Sequence, residues 1–123
     1  MKMEEQIKHF FSPQEAGEKA LEAVKYLREK TAPKLLAGGF DLNIEWEDVS
    51  GFVYKWDCAR LHVTIVSYED AKEIDRVGEF YINCHSVAEW EARMKLILII
   101  TEVSGENPCQ MVKLLSDCIS YGS

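Results

Sequence analysis

Apolar and polar residues change their spacing several times along the chain, and each change marks an element. Ser12-Pro13-Gln14-Glu15 has the form of an N-terminal capping box with proline at the first helical position. Ala16, Ala20, Ala23, Val24 and Leu27 then recur at helical spacing, while Glu15, Glu18, Lys19, Glu22 and Lys25 fall mostly on the other side. Pro33 disfavours helical geometry at Ala32, which predicts a helix end near Thr31. Gly38-Gly39 frees the turn that follows.

The spacing next shortens to two. Phe40, Leu42, Ile44 and Trp46 alternate with Asp41, Asn43, Glu45 and Glu47, which predicts a strand with its apolar row in the core and a polar, mainly acidic row outside. Asp48-Val49-Ser50-Gly51 has turn chemistry. Phe52 to Trp56 reads as a second strand and Arg60 to Val66 as a third, with Leu61, Val63 and Ile65 on one face and His62, Thr64 and Val66 on the other. Such short connections favour an antiparallel meander. Ser67-Tyr68-Glu69-Asp70 resembles a helix start, so a short helix is expected over Glu69–Asp75. Gly78 would break it, before a fourth strand from Glu79 to Cys84.

Ser86-Val87-Ala88-Glu89 is a second capping box. The helix behind it extends to about Val103 and carries Trp90, Met94, Ile97, Leu98 and Thr101 on one stripe. Leu96, Ile99, Ile100 and Val103 widen that stripe, so its C-terminal half is expected to be buried on most sides. Asn107-Pro108 caps a last helix with Met111, Leu114, Leu115, Cys118 and Ile119 on its apolar face. The expected order is αβββ(α)βαα over one domain, residues 1–123. Its class is α+β: an antiparallel sheet of about four strands with helices packed on one face.

Composition narrows the function classes. Fourteen basic residues against 21 acidic ones leave a net charge of −7, which weighs against nucleic acid and against anionic membranes as partners. The longest apolar run, Leu96 to Ile100, falls far short of the about 20 residues of a membrane span. Cys58, Cys84, Cys109 and Cys118 form no C-x-x-C pair and read as reduced thiols of a cytoplasmic protein.

Catalytic motifs are sparse. No glycine-rich phosphate loop and no G-x-S-x-G elbow occurs, and the chain has three histidines, His9, His62 and His85. Cys84-His85 is the most suggestive pair, but neighbours on a strand point to opposite faces. His62 reads as a surface histidine within reach of Lys55 or Asp57. Glu69, Asp70, Glu73 and Asp75 lack the spacing of a calcium loop and read as a solvated face. Neither a metal site nor a cofactor is expected, and no catalytic residue is assigned. Trp46, Trp56 and Trp90 read as core anchors.

The succession of a helix, a short meander and a hydrophobic helix opened by Trp90 resembles small SprT-type zinc metallopeptidases. In that family a comparable helix carries H-E-x-x-H, two histidines for zinc and a glutamate as general base. The corresponding stretch here is Thr101-Glu102-Val103-Ser104-Gly105, which keeps only Glu102. The resemblance implies a degenerate, metal-free relative.

The leading functional expectation is a small acidic interaction or inhibitory protein, like immunity or anti-defence proteins, that binds a basic protein surface. Asp41, Asn43, Glu45, Glu47 and Asp48 are the expected binding residues, held on a rigid strand. The alternatives are a small-molecule binding module with a pocket walled by Tyr54, Trp56, Phe80 and Trp90, and an enzyme in which Cys84, His85 or Glu102 converge. Self-association as a homodimer through an edge strand is a further alternative.

Overall fold

Helix α1, Pro13–Tyr26, begins at the expected capping box in the computed structural model. Ser12 Oγ accepts the Glu15 N–H at 3.1 Å, and Glu15 Oε1 accepts the Ser12 N–H at 2.9 Å. The structure describes residues 9–48, 59–70 and 72–119, excepting the side chains of Asp48, Ala59 and Cys118.

Pro33 does not end the helical path. The chain passes through a π turn, Leu27–Thr31, into a short helix α2, Ala32–Leu36, and Ala32 itself is helical. Proline lacks an N–H and its ring crowds the carbonyl four residues back. A wider turn relieves that crowding, and here the Ala32 N–H reaches back five residues to the Leu27 carbonyl. Gly39, at φ 86°, then turns the chain into the sheet.

Among the described residues three strands form one antiparallel sheet in the order β1-β2-β3: β1 is Phe40–Asp48, β2 Ala59–Glu69 and β3 Lys72–Asn83. The expected strand over Phe52–Trp56 lies outside the described residues. The short helix expected over Glu69–Asp75 is not formed. Glu69 pairs with Lys72 across a two-residue hairpin turn, with Asp70 at φ 55°. Aspartate tolerates that left-handed geometry, which such tight turns require. The expected fourth strand is the inner half of β3. Two register shifts in the β2–β3 pairing break the alternation around Ile74 and Val77, which hides the strand from a period-two search.

The inward rows of the sheet meet the helices in one core. Leu42, Leu61, Val63, Ile65, Phe80 and Ile82 pack with Ala23, Leu27, Leu35, Ile97, Met111, Leu115 and Ile119. Each large side chain buried this way is worth roughly 1.5–3 kcal/mol relative to exposure. Trp46 departs from the expected core: it is 47% exposed near the end of β1.

Helix α3, Val87–Val103, starts at Ser86, whose Oγ accepts the Glu89 N–H. The second half of this capping box is replaced: the Ser86 N–H goes to Asn83 Oδ1, and Asn83 Nδ2 donates to Glu89. Met94, Ile97 and Ile100 are buried, but Leu98, Ile99 and Val103 are exposed, so the C-terminal half of α3 is covered on one side only. Helix α4, Pro108–Leu114, starts where Asn107 Oδ1 accepts the Gln110 N–H, and a second π turn, Leu115–Ile119, follows it. Two buried polar contacts join the helical segments. Thr31 Oγ1 lies 2.9 Å from Thr101 Oγ1, and Arg93 Nη1 donates to the Ile119 carbonyl at 2.6 Å.

The three caps predict one result. Ser12→Ala, Ser86→Ala and Asn107→Ala each lower stability by about 1 kcal/mol, read as a reduced midpoint in urea denaturation at unchanged slope.

Candidate functional site

The pairing of β1 with β2 places the outward rows of the two strands side by side. Glu45 stands opposite His62 and Glu47 opposite Arg60, while His62 also stands opposite Tyr81 of β3. These residues form a cluster on the sheet face that points away from the core. The His62 ring stacks on Tyr81, with centroids 4.5 Å apart and planes 18° from parallel. Its Nδ1 lies 3.4 Å from Glu47 Oε2 and 3.9 Å from Glu45 Oε1, and its Nε2 lies 3.4 Å from Glu79 Oε2. The imidazole therefore has carboxylates at both nitrogens, and its side chain is only 14% exposed.

Arginines complete the cluster. Arg60 Nε donates to Glu47 Oε1 at 2.8 Å, and its guanidinium lies 4.2 Å from the Tyr81 ring centroid. Arg76 Nη1 lies 3.6 Å from Glu79. Farther along β1, Arg28 from the first π turn lies 3.5 Å from Asp41, and Asp41 Oδ1 also accepts the Leu42 N–H. Pairs this exposed add little stability, typically under about 1 kcal/mol, but they fix where the charges point.

The expected acidic strip is thus divided. Asp41 and Glu47 hold counter-charges of their own, whereas Asn43 is exposed and the Glu45 side chain is 74% exposed. Asp48 ends β1, and its side chain is among those not described.

His62 lies on the outward face of the sheet, as expected, but its side chain is largely covered by the cluster. Lys55 and Asp57, its expected neighbours, lie outside the described residues. With a strand over Phe52–Trp56 placed between them, Glu45 and His62 would not have been neighbours. The usable signal was the E-x-E spacing of Glu45 and Glu47 beside a histidine on the outward row of another strand, once those two strands are paired directly.

The enzyme constellation is not assembled. Cys84 is fully buried, and its Sγ donates to the Ile82 carbonyl. Burial pushes the thiol up to about 12 from its ordinary 9.0, partly offset by a hydrogen bond to the Leu61 backbone. A neutral thiol in that position is no nucleophile at ordinary pH. His85 stacks on the Phe10 ring at 4.8 Å. Glu102 is exposed at the far end of α3, a helix of 17 residues and so roughly 25 Å long.

Of the four residues expected to wall an aromatic pocket, Phe80 and Trp90 are among the described residues. Phe80 is fully buried in the core, and Tyr54 and Trp56 lie outside the described residues. Trp90 does border an open apolar groove of about 550 Å³ between α1 and α3, lined also by Tyr26, Met94, Leu98 and Ile99. The indole packs edge-on against Phe11 and donates to the Lys19 carbonyl at 3.2 Å.

Among the described residues no helix is long and apolar enough to cross a membrane. In comparison with known proteins, no family model, no curated protein and no solved structure matches the chain.

The Cys84 environment has a measurable consequence. A thiol acid with a raised value stabilises the fold below pH 9, and that stability is lost as pH rises towards about 12. The urea midpoint of the protein therefore falls more steeply above pH 9 than that of Cys84→Val. Under native conditions a thiol reagent followed by peptide mass mapping labels the exposed Cys109 and spares Cys84 until the chain is unfolded.

Proposed function

We propose that the protein is a non-catalytic interaction protein whose outward sheet face binds a protein with a basic surface, in the manner of small inhibitory proteins. The observation that carries this reading is the position of Glu45. Its carboxylate stands exposed at the middle of a paired strand whose inward side is anchored by Leu42 and Ile44. A charge on such a support loses little entropy on binding and steers a cationic partner. Asp41 and Glu47 are already paired to Arg28 and Arg60, so their charge is largely offset and Glu45 is the carboxylate on which this reading rests.

A photo-crosslinking amino acid at the exposed Asn43 position tests this. The expected adduct joins that position to a Lys/Arg-rich surface of one partner, weakens as salt is raised, and is lost in Glu45→Lys while the far-ultraviolet circular dichroism stays unchanged. An adduct that Glu45→Lys leaves intact at low salt, or one joined to an uncharged or acidic surface, overturns the proposal.

The groove beside Trp90 supports a second reading, the binding of a small apolar ligand. Under it, a fluorescent fatty-acid analogue quenches indole emission in the protein, and Met94→Lys abolishes the effect. Quenching that Met94→Lys leaves intact removes this reading.

A further inference from the structure

We infer that Glu45, Glu47 and His62 form a binding site for a divalent transition-metal ion, of which Zn²⁺ is the expected occupant. Their ligand atoms, two carboxylate oxygens and one imidazole nitrogen, all lie within 4.8 Å of one another. Ligands about 2.0–2.1 Å from a tetrahedral ion stand roughly 3.4 Å apart. The His62 Nδ1 to Glu47 Oε2 distance is already 3.4 Å, and that to Glu45 Oε1 is 3.9 Å. Closing the remaining gap falls to Glu45, whose exposed side chain has room to turn.

The surroundings of these three groups are what separate them from acidic residues that merely share a surface. A ligating histidine is oriented by a carboxylate on its other nitrogen, which fixes the tautomer and raises the basicity of the ligand. Glu79 occupies that place at His62 Nε2, and stacking on Tyr81 fixes the plane of the ring. Arg60 holds the second oxygen of Glu47 and leaves Oε2 turned to His62. Thus the ligand from β2 is held by a group on β3, and one ligand from β1 by a group on β2. A single strand would not supply this set: alternation aligns Glu45 and Glu47 on β1, and the antiparallel register brings His62 opposite.

The donor set selects the class of ion. One imidazole with two carboxylates suits Zn²⁺ and its neighbours in the first transition row, whereas Mg²⁺ and Ca²⁺ prefer all-oxygen shells. Three protein ligands leave a fourth position for water. The inference does not depend on the partner proposed above, because ion binding is read on the isolated protein.

Calorimetric titration of Zn²⁺ into the full, chelator-treated chain tests the site, with Mg²⁺ and Ca²⁺ as comparison ions. The expected result is one equivalent of Zn²⁺ bound, with neither of the other ions competing. Glu45→Gln, at an exposed position that leaves folding intact, weakens binding by about tenfold or more, and Glu79→Gln weakens it by about 10–100-fold through the histidine. Co²⁺ bound in place of Zn²⁺ shows no thiolate-to-metal charge-transfer absorption, which separates this site from the cysteines. Absence of a stoichiometric equivalent, equal affinity in Glu45→Gln, or a thiolate band on the bound Co²⁺ overturns the inference.

Discussion

Among the described residues, the sheet and both its faces are referred to the central strand, β2. Both outer strands pair with it, so its register decides which residues become neighbours on each face. Its inward residues Leu61, Val63 and Ile65 are almost wholly buried beneath the helices. Its outward residues Arg60 and His62 carry the charged cluster. The two faces share one backbone: His62 sits between two core residues, so displacing its Cα would also mean moving Leu61 or Val63, while Tyr81 and the carboxylates hold the ring itself. Hydrophobic burial on one side thereby pre-positions the polar groups on the other.

The sequence is most legible where a local rule decides the geometry. The caps at Ser12, Ser86 and Asn107 each satisfy backbone donors within a few residues, and all three appear where the pattern places them. The alternation of β1 is equally plain, since one buried row and one solvated row leave a period of two. Legibility fails where a distant or compensating effect takes over. Pro33 is an ordinary helix terminator until a π turn makes room for its ring. The β2–β3 hairpin is obscured by its own bulges and by a turn residue that also suits a helix start. Trp46 has the right spacing for the core but lies on the outer strand β1, outside the packed cluster that covers its partner Leu61.

The cluster around His62 was hidden for a different reason. Each member is unremarkable alone, and no two of them from different strands are close in sequence. Only the direct pairing of β1 with β2 converts an E-x-E spacing and an isolated histidine into one group. Cys84 illustrates the reverse case. A cysteine beside a histidine invites a catalytic interpretation, yet the same alternation that builds the sheet sends the thiol into the core, while the imidazole stacks on Phe10. The helical layer shows what a single cover costs: the C-terminal half of α3 carries Leu98, Ile99 and Val103 beside its buried row, and these stay exposed among the described elements.

One close approach also reaches beyond this single chain. At Gly78, in β3, a side-chain carbon would run into Ser116 Oγ of the second π turn, a hydroxyl that is buried without a hydrogen-bond partner among the described residues. Two positions 38 residues apart therefore share one volume. In any lineage descended from this protein they are not free to drift separately: a larger residue at 78 requires 116 to shrink or its hydroxyl to swing aside. Packing at this point of the fold ties the history of one position to that of the other.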